Sequence, residues 1–223
     1  MNIGIIGTGT VGQTLAAKLA QHGNEVFIGT RDIAKTLART SGNPSFGEWH
    51  AQNKSIKVVT FAEAASHGEL VLNATNGSSS LEALKLAGEK NLAGKILFEI
   101  SNPLDFSKGM PPSLFVCNTD SLGEQIQRAF PSVKVVKTLN TVSSKVMINP
   151  GAIAGGEHHL FVCGNDADAK AKVVQLLKDW FGWKHIMDLG DITNARGMEM
   201  LLPFWIRVMG VLETPVFNFK IAQ

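Results

Sequence analysis

The chain has 223 residues, 44% hydrophobic and 18% charged, with a formal net charge of +2. That composition suits a globular protein large enough to bury a core without disulfide or metal staples. The near-neutral charge and the lack of a long basic run give a nucleic-acid partner little support, and no stretch reaches the roughly 18 consecutive apolar residues of a membrane span.

In chain order, Ile3–Ile6 reads as a strand and Val11–Gln21 as an amphipathic helix, followed by a strand at Glu25–Ile28 and a helix at Asp32–Thr40. Ser41–Lys54 breaks the rhythm, because Gly, Pro, Asn and Gln around Trp49 predict a surface loop. Strands follow at Lys57–Val59, Leu70–Asn73 and Lys95–Glu99, with a helix at Ser79–Glu89. The remaining elements are helices at Ser121–Ala129 and Ala167–Phe181 and strands at Val133–Lys137, His159–Cys163 and His185–Asp188.

This alternation predicts an α/β fold of the Rossmann type, with a doubly wound, mostly parallel sheet and helices on both faces. Apolar strands such as Ile3-Gly4-Ile5-Ile6 suit a sheet covered on both sides. Residues 1–190 are expected to form the dinucleotide-binding domain and residues 191–223 a C-terminal helical extension. Within the extension, Thr193–Leu212 is apolar on nearly all sides, with Glu199 and Arg207 in its middle and Pro203 expected to kink it. Cover for such a helix comes from its own chain or from a second copy, and the reading favours a homodimer.

The most informative motif is Gly7-Thr8-Gly9-Thr10-Val11-Gly12, a G-x-G-x-x-G between the first strand and the first helix. A second strand closes the unit within about 30 residues, which is the context that gives the motif meaning. Gly7 permits the tight turn, Gly9 lets backbone approach a pyrophosphate, and Gly12 lets the helix pack closely. Free N–H groups and the helix dipole would then hold the phosphates. The alternative is a plain turn between strand and helix.

The second strand ends Ile28-Gly29-Thr30-Arg31-Asp32, with no acid at its tip to bind a ribose 2′-hydroxyl. Arg31 can fork onto a 2′-phosphate, Thr30 can donate a hydrogen bond, and Lys35 lies one helical turn on. These residues favour NADP(H) over NAD(H), against a reading in which Arg31 and Lys35 are merely solvated and Asp32 is a helix cap. Ala74-Thr75-Asn76, Asn102 and Asn140-Thr141 follow three later strands and should wall the crevice at the carboxyl edge of the sheet.

No side chain stands out as a catalytic acid. The chain has no tyrosine, which excludes a Tyr-Lys proton-donor pair. His22 ends a helix, where the dipole favours a cation. His158-His159 lie in a loop before a strand, His50 sits beside Trp49, and nothing supplies metal-ligand spacing. Cys117 and Cys163 fall in apolar, strand-like stretches and are read as packing residues, in keeping with a reducing, cytoplasmic location. Glycines 4, 7, 9 and 12 interrupt the N-terminal apolar stretch, so it is not read as a signal peptide.

The segments IIGTGTVG, GTRD with Lys35, NTVSS (140–144), VCGNDADAK (162–170) and LGDITNARGMEMLLP (189–203) together resemble one family. It is that of the NADPH-dependent reductases of the deazaflavin coenzyme factor 420, related to pyrroline-5-carboxylate reductases and to the STEAP reductase domain. The resemblance implies that Thr8, Thr30, Arg31 and Lys35 hold the NADP phosphates, and that Ala74, Asn102 and Asn140 line the nicotinamide end. It also implies that the tail around Ile192, Thr193 and Leu202 closes over the second substrate. Two departures lie near the acceptor: Asn140 stands where the family has His, and Ala-Thr-Asn-Gly-Ser (74–78) replaces an apolar, proline-containing stretch.

The expected activity is hydride transfer from NADPH to a small redox acceptor such as a deazaflavin or flavin, with the protein supplying position more than chemistry. Reduction of an imine or carbonyl, or a non-catalytic NADP(H) sensor, are the alternatives.

Overall fold

The computed structural model describes residues 1–222. Eight strands form one sheet: β1 (Asn2–Ile6), β2 (Glu25–Thr30), β3 (Lys57–Thr60), β4 (Leu70–Asn73), β5 (Ile96–Glu99), β8 (Lys134–Thr138), β9 (His159–Cys163) and β10 (His185–Asp188). Between β5 and β8 lies a short antiparallel pair, β6 (Leu104–Asp105) with β7 (Ser113–Leu114). The sheet order is β10-β9-β8-β5-β4-β1-β2-β3. From β3 to β8 every pairing is parallel; β9 then runs antiparallel to β8, and β10 parallel to β9. The parallel part reverses its winding between β1 and β4, which is the switch point where such sheets open a crevice.

Alternate strand residues feed two cores. Ile3 and Ile5 of β1, Val26 and Ile28 of β2 and Phe98 of β5 enter one cluster, while Phe27, Val71 and Leu97 enter the other. Helix α1 (Thr10–Gln21) contributes Leu15 and Leu19 to the first. Burying both faces in this way is what makes the strands nearly continuous in apolar residues.

All eight expected strands are present. The short pair β6–β7 lies within a Pro- and Gly-containing stretch that carries no alternation. Helices α2 (Ile33–Leu37), α5 (Gly77–Ala87), α7 (Leu122–Ala129) and α9 (Ala167–Phe181) are the other expected ones, with α2 shorter than Asp32–Thr40.

The expected surface loop at 41–54 contains a helix instead, α3 (Phe46–Gln52). Ser45 accepts from the Glu48 backbone N–H while Glu48 reaches back to Ser45, a capping box that starts the helix despite the Gly and Pro before it. Phe46 and Trp49 are buried in the first core. Three further short helices, α4 (Phe61–His67), α6 (Glu89–Leu92) and α8 (Ser144–Ile148), were not expected. Cys163 is buried as expected, but Cys117 is exposed and lies outside any strand.

The extension carries one helix, α10 (Ala195–Leu212), which continues through Pro203. Ala195, Met198, Glu199, Leu202 and Trp205 are buried within the chain, so intramolecular packing covers one face. The far end is bare: Val211 is 83% exposed, and Leu212 is exposed beside it. Glu213 adopts a left-handed conformation that ends the helix. The chain then returns, with the His159 N–H donating to the Phe219 carbonyl at 3.0 Å.

Candidate active site

The glycine loop leaves β1 and starts α1. Gly7 has φ +118°, and a Cβ there would lie 2.6 Å from the Ala74 carbonyl oxygen. A Cβ on Gly12 would lie 2.2 Å from the Gly7 carbonyl oxygen. The protein itself demands these two glycines. Gly9 is different, because a Cβ there would meet nothing within 4 Å and its φ of −77° is open to any residue. Space is left above Gly9, at the N-terminus of α1, where no side chain caps the helix. The helices α2, α3, α4, α5, α7 and α9 carry a side-chain cap, whereas α6, α8 and α10, like α1, do not. A bare helix start under an open glycine is the cradle a pyrophosphate needs.

Beside the loop, Thr8, Thr30, Arg31, Asp32 and Lys35 border one recess of about 670 Å³. Arg31 and Lys35 are exposed there. Asp32 accepts from the Lys35 backbone N–H at 3.0 Å, a bond that holds its carboxyl below the ordinary range, so it caps α2 as expected. Thr30 is buried and shares a hydrogen bond of 2.6 Å with Thr36, which turns its hydroxyl inward.

Arg39 also borders this recess, and sequence reasoning passed over it. Its guanidinium donates to the Thr8 carbonyl at 2.9 Å and lies over the Phe46 ring at 5.5 Å. The available signal was spacing, since Arg31, Lys35 and Arg39 recur every four residues. Arg39, Gly9 and Thr10 also border a groove of about 550 Å³ along α1, so the two spaces adjoin at the glycine loop.

A third cavity, of about 230 Å³, lies across the switch point. Ala74, Thr75, Asn102 and Asn140 border it, as expected for the far end of the crevice, and Val11 of the glycine motif borders it too. Asn140 and Asn102 lock each other: each side-chain amide donates to the other residue at 2.9 Å, and Asn140 also donates to the Met198 carbonyl at 3.2 Å. The Asn140 Oδ1, the Ser143 Oγ and the Trp205 Nε1 are each buried without a partner, and all three residues border the cavity.

Two expected residues do not border this cavity. Asn76 caps α5 through the Ser78 N–H and faces a separate recess. Thr141 is buried beneath the surface. Of the tail residues, Leu202 borders the cavity, whereas Ile192 packs into the second core and Thr193 bonds Asp191. Trp205, one helical turn beyond Leu202, takes the place expected of them. Pattern reading missed it because an apolar run gives no phase until one of its faces is anchored.

The anchor is a buried charge cluster beneath the cavity. Lys137 pairs with Glu99 and, at 2.8 Å, with Glu199 of α10, and all three are buried. Burial works against the Lys137 charge, but the Glu199 and Glu99 carboxylates outweigh it and raise the ammonium above its ordinary range. Glu199 also accepts from the Leu122 and Gly123 N–H groups at 2.8 and 3.0 Å, at the start of α7.

No titratable side chain borders the cavity among the described residues. Burial pushes the Cys163 thiol up to about 12, so it is no thiolate nucleophile. His158 donates from Nε2 to the Pro150 carbonyl and stands edge-on to Trp183, a packing role.

A family model described as NADP oxidoreductase, coenzyme F420-dependent, matches residues 2–103. A solved structure from Arthrobacter sp. FB24, assigned as an F420-dependent NADP-reductase, is 58% identical, with a TM-score of 0.96 and 99% of each chain covered. The F420-dependent NADP reductase of Methanocaldococcus jannaschii is 29% identical over 92% of this chain and 91% of its own. Rat metalloreductase STEAP3 is 28% identical over 91% of this chain, which spans only 37% of that longer protein.

Proposed function

Because this chain belongs to the family of coenzyme F420-dependent NADP oxidoreductases, we propose that it transfers hydride between NADP(H) and a deazaflavin or a similar planar redox acceptor. The observation that carries this choice of acceptor is the cavity wall, which holds hydrogen-bonding groups but no titratable one. Reduction of an imine or a simple carbonyl wants a proton donor beside the reacting atom. A conjugated ring can take the hydride first and its proton from water later.

The fit for NADP rests on the open cradle at Gly9 and on the cationic recess. Gly7, Thr8, Gly9, Thr10, Val11 and Gly12 would hold the pyrophosphate on backbone N–H groups. Arg31 and Lys35, with Arg39 behind them, would take the 2′-phosphate, while Thr30 shapes the strand tip. Ala74, Thr75, Asn102 and Asn140 would seat the nicotinamide, which supplies the hydride when bound. Asn140 presents only Oδ1, since its amide nitrogen is occupied, and that suits a carboxamide N–H₂.

Residues 1–190 act in this reading as the dinucleotide-binding domain and 191–223 as the extension that completes the acceptor end. A second copy would cover Val211 and Leu212, a homodimer that sedimentation equilibrium tests. No described helix is long and apolar enough to cross a membrane, and we place the protein in the cytoplasm.

The deciding assay follows the loss of reduced-nicotinamide absorbance with a panel of deazaflavin, flavin, ferric chelate and cyclic imine. Turnover with the deazaflavin or flavin is expected. Turnover with the imine alone would overturn the reading.

A further inference from the structure

We propose that Trp205 selects the acceptor, its indole N–H donating to the carbonyl oxygen of a planar ring in which that carbonyl is conjugated with the hydride-accepting carbon. The inference rests on the reductase reading above and adds to it the chemical class of the second substrate and the residue that recognises it.

The Trp205 ring is 8% exposed and borders the cavity, and its Nε1 is buried without a partner. An indole N–H is a donor only. A buried donor left unpaired is uncommon enough to require a reason, and a ligand atom that accepts supplies one. Its direction is fixed before any ligand arrives. Trp205 stacks on Phe217 at 5.0 Å and 17°, Phe217 stands edge-on to Phe219 at 5.9 Å, and the Phe219 carbonyl is tied to the His159 N–H. The returning C-terminal chain therefore packs against the indole ring and holds its plane.

The polar atoms around the cavity divide between two ligands. Asn140 Oδ1 accepts and suits the carboxamide of the nicotinamide. Trp205 donates, while the Ser143 hydroxyl can do either and caps no helix. At about 230 Å³ the cavity is smaller than the roughly 300 Å³ at which whole-ligand pockets begin, so the acceptor enters by one edge. The edge that meets Trp205 must carry an acceptor atom.

The electron count gives that contact its role. NADPH loses a hydride and becomes NADP⁺, while a ring carbon of the acceptor gains the hydrogen and its electron pair. The displaced π pair moves through the conjugated system to the carbonyl oxygen, which takes one proton from water afterwards. Negative charge thus grows on the atom the indole N–H faces, and a preorganised donor stabilises it there.

Trp205→Phe keeps an aromatic ring against Phe217 and removes the donor together with part of the wall, and a second acceptor controls for the lost wall. With NADPH, kcat/KM for deazariboflavin, which has conjugated ring carbonyls, is compared with that for methylene blue, a planar acceptor without one. The ratio of the two is expected to fall about tenfold in the variant, the share of one hydrogen bond to a charge-bearing oxygen. An unchanged ratio overturns the assignment, because both acceptors then lose only a wall.

A second readout needs no turnover. In nitrogen-labelled protein with NADP⁺ bound, the indole resonance missing from the Trp205→Phe spectrum should move downfield on adding deazariboflavin. A shift without turnover supports the Trp205 contact and refutes the reductase reading. Turnover without a shift overturns the Trp205 contact alone, and the absence of both overturns the two together.

Discussion

Gly9 and Gly12 lie three residues apart, at the cap and in the first turn of α1, and substituting each should fail in opposite ways. At Gly9, valine fits the φ of −77° and its Cβ meets no atom within 4 Å. Loss of a glycine N-cap and the gain from a stiffer unfolded chain are each of order 1 kcal/mol or less and oppose one another. Stability should therefore change by less than about 1 kcal/mol. The β-branched side chain would instead stand where the pyrophosphate meets the uncapped start of α1. Losing two charge-assisted hydrogen bonds there costs about 3–6 kcal/mol, more than a hundredfold in Kd.

Gly12→Ala inverts that signature. Its Cβ would sit 2.2 Å from the Gly7 carbonyl oxygen, so backbone must move and stability should fall by about 1–3 kcal/mol. Urea unfolding together with calorimetric titration of NADPH separates the two outcomes. NADPH binding that survives Gly9→Val, or a Gly9→Val protein as unstable as Gly12→Ala, would refute the view that this loop is shaped around a ligand.

Three further outcomes are expected. Arg31→Ala should weaken NADPH by about 1–3 kcal/mol while sparing NADH, since only the 2′-phosphate loses its partner; equal losses in a binding titration would remove the assignment of this recess to the phosphate. The Arg128 guanidinium beside Asp120 lowers that carboxyl from 3.8 to about 2. Because the folded value is the lower one, the pair stabilises the protein fully above pH 3.8 and is lost as pH falls through about 2. The slope of stability against pH in that window should be shallower in Asp120→Asn, and parallel slopes would count against the pairing. Glu199→Ala strands the Leu122 and Gly123 N–H groups and leaves Lys137 one carboxylate short. It should cost about 3–5 kcal/mol in urea unfolding, and a loss below about 1 kcal/mol would show that α10 is held by its apolar face alone.

The fold was legible because its signals are local. Each main-sheet strand is a short apolar run between polar punctuation, and eight runs sufficed to name eight strands. The misses share a cause. Ser45–Glu48 is a capping box readable in sequence, yet Gly42, Asn43 and Pro44 immediately before it argue for a loop. The chain obeys both signals, turning at 42–44 and starting a helix two residues later. Cys117 was misplaced for the opposite reason: Leu114-Phe115-Val116 looks like a strand, but only β7, at Ser113–Leu114, finds a partner.

The site was legible at the glycine loop and the strand tip, where the ligand contacts come from consecutive residues. It became illegible where they come from elements distant in sequence. Asn140 lies in the turn after β8, Ser143 before α8 and Trp205 in α10, and no spacing connects them. Their meeting depends on the phase of α10, and that phase is set by Glu199. This carboxylate is the exception in an apolar helix, and the cluster with Lys137 and the start of α7 fixes which side of α10 faces the sheet. Once Glu199 points inward, Leu202, three residues on, falls on the same side, while Trp205, three further, lies about 120° round the helix from Glu199, at the edge of the buried face. A charged residue in an apolar run was therefore the sequence signal for the orientation of α10 and for Leu202, because it needs a buried partner, whereas Trp205 at the edge of that face is found only once the packing of the returning C-terminal chain is known.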